Sequence, residues 1–129
     1  MTIAYWCVLV AAYLPIVWTA AAKISGGNFA GAGNRGPREF LERLSGWRKR
    51  SHWAQLNGFE AFPPFAAAVI IAQLRNVPQV RIDTLAIAFV RFRLLHGILY
   101  IADRASLRSL VWFGSVACVV ALFVSAGAG

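Results

Sequence analysis

The sequence predicts an all-α integral membrane protein whose 129 residues form a single four-transmembrane-helix bundle, one domain over residues 1–129. Of these residues, 59% are hydrophobic and 14% are charged, whereas about a quarter are charged in an ordinary soluble domain. The apolar residues also fall into four long runs. The formal net charge is +8, which in so apolar a chain favours loops beside anionic membrane lipid, or an anionic substrate, over nucleic-acid binding.

The four runs are each long enough to cross a bilayer, for which about 20 helical residues suffice. Helices are expected because an open strand would leave backbone groups unpaired in lipid. The predicted spans cover residues 3–22, 53–74, 82–102 and 109–126.

The first span has small residues near its end, as a signal peptide does. However, no Lys or Arg precedes it, and it is longer than the roughly 7–15 apolar residues usual in such peptides. A retained helix is therefore expected.

Basic residues are distributed unequally among the connections. The first and third connections, which lie on one side of a four-span protein, together hold nine Lys and Arg, and the second holds two. The positive-inside rule predicts that the first and third loops are cytoplasmic and that both termini lie on the opposite side.

Within the first connection, residues 25–37 are rich in Gly, Ala and Asn and are expected to be irregular. From Arg38 onward, Phe40, Leu41, Leu44 and Trp47 share one helical face. This pattern predicts a short amphipathic helix on the membrane surface, leading into the second span.

Polar residues cluster in the second and third spans, where they mark interhelical pairing or a functional site. Asn57 and Glu60 lie three residues apart, hence on one helix face, before Pro63 and Pro64, which should bend the helix. Glu60 is expected to pair with Arg93 of the third span.

In the third span, Arg93, His96 and Tyr100 fall within about a 60° arc of the helix. Arg91 lies roughly opposite and indicates packing or a charge between protomers. The alternative for Glu60, Arg93, His96 and Tyr100 is that they serve only to hold helices together.

At the start of the fourth span, Ser106 is a candidate helix cap, and Arg108 and Ser109 follow in the first turn. A cation at a helix N-terminus could hold a thiol as its thiolate. The alternative for Arg108 is an anchor on lipid phosphate.

The two cysteines, Cys7 and Cys118, each lie in an apolar run without the spacing of a metal or redox site. They are expected to be inert, and no metal site is predicted.

Two motifs resemble a known family. The segment Ala54–Pro63, AQLNGFEAFP, resembles the second-helix signature of the membrane-associated proteins in eicosanoid and glutathione metabolism (MAPEG). The segment Arg93–Tyr100, RLLHGILY, followed by Leu107-Arg108-Ser109, resembles the third- and fourth-helix signature of its prostaglandin E synthase branch. The glutathione transferase members are the other relevant branch.

The resemblance implies a homotrimer that binds glutathione as co-substrate between subunits near the cytoplasmic face. Asn57 and Glu60 would contact the glutathione backbone, with Glu60 at its α-amino group. His96 and Tyr100 would line the site, Arg93 would support it, and Arg108 with Ser109 would face the thiol.

The sequence departs from the family pattern at two positions, where Trp53 and Leu56 stand in place of arginines. Arg50 lies seven residues before Asn57, on the same helix face and roughly 10 Å away, so Arg50 or Lys49 could replace the missing carboxylate contact.

Three function classes follow. The first is a glutathione-dependent transferase or peroxidase whose lipophilic small-molecule electrophile enters from the bilayer. The second is a non-catalytic scaffold or partner-binding protein of the same fold, and the third is a small transporter or channel, although the first and fourth spans lack the charges that would line a path.

Overall fold

The computed structural model describes residues 1–25, 31 and 33–128 of the chain. The five helices that it defines are, in order, α1 (Ile3–Ser25), α2 (Pro37–Glu42), α3 (Gly46–Leu74), α4 (Gln79–Ile101) and α5 (Ala105–Gly127). The four apolar runs lie within α1, α3, α4 and α5, except that Ala102 is the C-cap that follows α4. Helices α3, α4 and α5 begin before the predicted span limits, and α1 and α5 end after them.

Three of these helices, α1, α4 and α5, are long and apolar enough to cross a membrane. The longest helix, α3, has 29 residues, or about 44 Å at 1.5 Å per residue. It also carries basic residues in its first turns and two polar residues, Asn57 and Glu60, near its middle. The fourth span remains a prediction.

The connection before α3 differs from the expected surface helix. Helix α2 ends at Glu42, and Trp47 belongs to α3. The prediction that one amphipathic helix contains Phe40, Leu44 and Trp47 is therefore wrong. The chain breaks because Ser45 is extended and Gly46 has a φ of +62°, a left-handed conformation that glycine adopts readily. Of the segment expected to be irregular, residues 26–30 and 32 lie outside the described residues, and residues 33–35 are helical.

Helices α3 and α4 form the centre of the bundle, since they contact each other and each contacts both α1 and α5. The rings of Phe65 on α3 and Phe89 on α4 stack with centroids 3.9 Å apart. Around them lie fully buried alanines, including Ala68, Ala72 and Ala86. Such small residues let helices approach closely, and close packing drives helix association in lipid.

Two glycines allow α1 to pack closely against α3 and α4. A Cβ on Gly97 of α4 would lie 2.2 Å from the Trp18 ring, and one on Gly58 of α3 would lie 2.7 Å from Pro15 Cγ. Real Cβ atoms do not approach so closely. Helix α1 therefore occupies space that only glycine leaves open.

The first turn of α1 is bonded to the first turns of α4. Asp83 Oδ1 accepts hydrogen bonds from the backbone amide of Ala4, at 2.9 Å, and from Gln79 Nε2, at 2.8 Å. The first amides of a helix lack partners within the helix, and a carboxylate also interacts favourably with the helix dipole there. Asp83 thus stabilises the start of α1.

Candidate functional site

Most of the predicted site residues lie in the half of the bundle where α3 and α5 begin and α4 ends. We call this the basic end, defined by Lys49, Arg50, Arg104 and Arg108. The turn that closes it is tight because Asp103 adopts a left-handed φ of 60°, which Asp tolerates better than most residues.

Arg93 is bonded to Asn57. Its Nη2 donates a 2.6 Å hydrogen bond to Asn57 Oδ1, and the arginine side chain is buried. Glu60 is exposed and has no hydrogen-bond or ion-pair partner in the described part of the chain. The prediction that Glu60 forms an ion pair with Arg93 is therefore wrong. Three residues along a helix rotate a side chain by about 60° from its neighbour, so Asn57 faces α4 while Glu60 faces outward.

The three residues predicted to share one face of α4 differ in burial. Arg93 and His96 are 5% and 3% exposed, and within the described residues Arg93 Nη1 and His96 Nδ1 have no hydrogen-bond partner. Tyr100 is half-buried, with its ring 5.6 Å from that of His96 in an edge-on contact. Of these three residues, Tyr100 therefore reaches the surface, and His96 lies behind it.

A surface pocket of about 390 Å³ lies between α3 and the end of α4. We call it the polar pocket. Its wall consists of Trp53, Leu56, Asn57, Glu60 and Tyr100. The rings of Trp53 and Tyr100 are 6.4 Å apart, and Glu60 is the one carboxylic acid residue among these five.

A second cavity, the apolar pocket, has a volume of about 250 Å³ and shares Asn57 and Glu60 with the polar pocket. It lies between α3 and α5. The rest of its wall is mostly apolar and consists of Ala61, Pro64, Phe89, Trp112, Ser115, Val116 and Val119. Residues such as Trp112 could not be predicted from the sequence, because apolar residues that face lipid and those that face a pocket look alike.

Arg108 lies against the polar pocket through Tyr100. Its Cζ is 4.3 Å from the centroid of the Tyr100 ring, a cation–π distance. Ser109 is exposed in the same turn. Ser106 does not cap α5: Arg104 occupies the N-cap position without a side-chain cap bond, because the turn at Asp103 starts the helix earlier than expected.

The two other cations near the pocket bond to backbone carbonyls. Arg50 Nε donates to Ile101 O, at 3.2 Å, and so holds the end of α4 beside Tyr100. Lys49 Nζ donates to Glu42 O, at 2.5 Å, and lies 6.0 Å from the centroid of the Trp53 ring. Neither residue lines the polar pocket.

The two cysteines, Cys7 and Cys118, are both free thiols, half-buried and buried respectively. Among the described residues, no group of three or more His, Cys, Asp or Glu is arranged to hold a metal ion.

The long apolar helices, together with a polar pocket on the surface between α3 and α4, define an integral membrane protein with a polar site on its helical bundle. The chain belongs to the MAPEG family, whose family model matches residues 3–128, nearly the whole sequence. Comparison with the curated proteins finds no match, and comparison with the solved structures finds none either.

Proposed function

We propose that this protein is a glutathione-dependent membrane transferase or peroxidase that acts on lipophilic electrophiles. Family membership supports a glutathione-related activity in the membrane. The observation that carries the proposal is that Asn57 and Glu60 belong to the walls of both pockets. A thiol tripeptide in the polar pocket would therefore lie directly beside an apolar pocket suited to a lipid-soluble molecule.

Each polar residue near the pocket has a role in this function. Glu60, exposed and without an ionic partner, binds the α-amino group of glutathione. Asn57 contacts its backbone while remaining bonded to Arg93. Tyr100 lines the site, and the buried Arg93 and His96 support α4 behind it. Arg50 positions the end of α4 through Ile101.

In the transferase reaction, Arg108 and Ser109 face the sulfur. The guanidinium of Arg108 stabilises the thiolate electrostatically, at a helix N-terminus where unpaired amides already favour negative charge. The sulfur then forms a bond to the electrophilic carbon while the leaving group departs with its bonding electrons. Binding both reactants side by side lowers the entropic part of the barrier.

The proposal includes four membrane spans, with α3 as the fourth, and assembly into a homotrimer. Two exposed charges near the middle of long helices support assembly: Glu60 on α3 and Arg91 on α4. Neither has an ion-pair partner in the described part of the chain, and charges that face hydrocarbon are costly. The first and third loops are proposed to be cytoplasmic, from the distribution of basic residues.

The test is equilibrium binding of glutathione to the purified protein in detergent, with stopped-flow detection of thiolate absorbance. We expect binding at millimolar glutathione or below and an absorbance signal at neutral pH. Glu60→Gln should weaken binding at least tenfold, whereas Glu39→Gln, an exposed carboxylate on α2, should not. If glutathione does not bind at millimolar concentration, the proposed function is wrong.

The second candidate is a non-catalytic membrane scaffold of the same fold. The observation that favours it is that Trp53 and Leu56 line the polar pocket at the two positions where the family pattern has arginines. On this alternative the purified protein binds no thiol but retains its oligomeric state.

A further inference from the structure

We propose that Trp53 sets the specificity of the polar pocket, so that the pocket accepts thiol tripeptides whose C-terminal carboxylate is masked or replaced by a neutral group. This inference rests on the proposed function, because it concerns the co-substrate of the same site.

The pocket has two chemically different ends. Trp53, Asn57 and Glu60 occupy positions i, i+4 and i+7 of α3 and therefore share one helix face. Seven residues separate Trp53 from Glu60, which corresponds to about 10.5 Å along the axis. A carboxylate thus stands at one end, and the rings of Trp53 and Tyr100 stand at the other.

The ligand can reach across this length. Three residues of extended α-peptide span up to about 10 Å, and the γ-glutamyl link of glutathione, which runs through the glutamate side chain, makes its backbone longer. With its amino group at Glu60, a thiol tripeptide would place its C-terminal group beside Trp53. The chemistry of the Trp53 end therefore determines which C-terminal group is accepted.

The Trp53 end suits a neutral group better than an anion. The face of an aromatic ring carries partial negative charge and attracts cations, so it does not attract a carboxylate. The indole N–H can donate one uncharged hydrogen bond at most. An arginine there would instead form paired, charge-assisted hydrogen bonds to a carboxylate. The indole is 44% exposed, and its surface is available for stacking on an ester or amide plane.

The neighbouring cations do not replace the missing arginine. Lys49 Nζ bonds the carbonyls of Leu41 and Glu42, at 3.5 and 2.5 Å. Arg50 Nε bonds the Ile101 carbonyl, and the guanidinium of Arg108 lies against the Tyr100 ring. Lys49 Nζ does lie 6.0 Å from the centroid of the Trp53 ring. However, each cation is held by another group, and none belongs to the pocket wall.

The experiment compares glutathione with its glycyl monoethyl ester by isothermal titration calorimetry, using the full chain in detergent. For the unaltered protein we expect the ester to bind as tightly as the free acid, within about threefold, or more tightly. Trp53→Arg should favour the free acid over the ester at least tenfold. Trp53→Phe, which keeps an aromatic face, should retain the original ratio, as should Lys49→Ala.

The outcomes separate this inference from the proposed function. If the unaltered protein binds the free acid at least tenfold more tightly than the ester, the carboxylate is recognised and the inference is overturned, while the proposed function stands. If Trp53→Arg leaves the ratio unchanged, Trp53 does not set specificity. If neither ligand binds, the proposed function fails and the inference with it.

Discussion

The guanidinium of Arg93 is held by the carboxamide of Asn57, at 2.6 Å, and Glu60 is exposed, with no ion-pair partner among the residues that the structure describes. A neutral residue therefore joins α3 to α4, and the carboxylate one turn away is available to a ligand. Asn57 and Glu60, three positions apart on α3, thus have different roles, the first in helix packing and the second in ligand binding.

Replacing Asn57 with Ala should destabilise the protein. The change removes the acceptor of a hydrogen bond from a buried cation, and such bonds contribute about 1.5–3 kcal/mol. Thermal unfolding in detergent measures the effect. Asn57→Asp is the control, since it keeps an acceptor beside the guanidinium and should unfold close to the unaltered protein. An unchanged midpoint for Asn57→Ala would show that this bond does not stabilise the fold.

Gly97→Ala should weaken the contact between α1 and α4. The added Cβ would lie 2.2 Å from the Trp18 ring, and overpacking of this kind costs about 1–3 kcal/mol. The matched control is Gly127→Ala in α5, where a Cβ meets no atom within 4 Å. Denaturant titration of both variants should show a loss for the first alone, and equal losses would contradict the packing seen at Trp18.

Arg108→Ala should reduce thiolate absorbance and turnover at neutral pH by at least tenfold, with little change in the unfolding temperature, because Arg108 lies in the first turn of α5, near water. Arg108→Lys retains the charge and should preserve most of the thiolate signal. Stopped-flow absorbance and a thermal unfolding curve measure the two effects. A full thiolate signal in Arg108→Ala would remove Arg108 from the proposed chemistry.

Glu60→Ala should weaken glutathione binding without destabilising the protomer. The pairing first expected with Arg93 would have made this substitution costly to folding, since breaking a buried ion pair costs about 3–5 kcal/mol. Because Glu60 is exposed and Arg93 bonds Asn57, no buried cation loses its partner. Calorimetric binding and thermal unfolding distinguish an exposed Glu60 from a Glu60 that is paired with Arg93. A large drop in the unfolding temperature of Glu60→Ala would indicate the ion pair.

Native mass spectrometry from mild detergent should show three chains, and Arg91→Leu should shift the population toward smaller species. Arg91 is exposed in the middle of α4, about 15–18 Å from either helix end, so its charge needs a partner outside its own protomer. Arg81→Leu is the control, since Arg81 lies in the first turn of α4 near water. A monomer under these conditions would contradict the trimer.

Sequence reasoning found the helices and the family because apolar length and motif spacing are local properties. It also placed Arg93, His96 and Tyr100 on one face of α4. It could not tell how deep each would lie, since depth depends on α1: Trp18 packs on Gly97 and helps to cover that face.

The ends of helices were harder to predict than their middles. Ser106 has the residue type of a cap, yet the left-handed Asp103 moves the start of α5 ahead of it. Likewise, nothing in the pattern of Phe40, Leu44 and Trp47 shows that Gly46 separates α2 from α3. Such breaks depend on single backbone angles, whereas hydrophobic periodicity averages over several turns.

The bond between Asp83 and the amide of Ala4 also bears on how the chain is made. Ala4 leaves the ribosome early, but the acceptor for its amide is encoded 79 residues later. Until α4 has been synthesised and inserted, the first turn of α1 lacks this acceptor, and Trp18 lacks the groove at Gly97. When α4 arrives beside α3, it supplies partners for α1 at two points, with Asp83 near the start of α1 and Gly97 near its end.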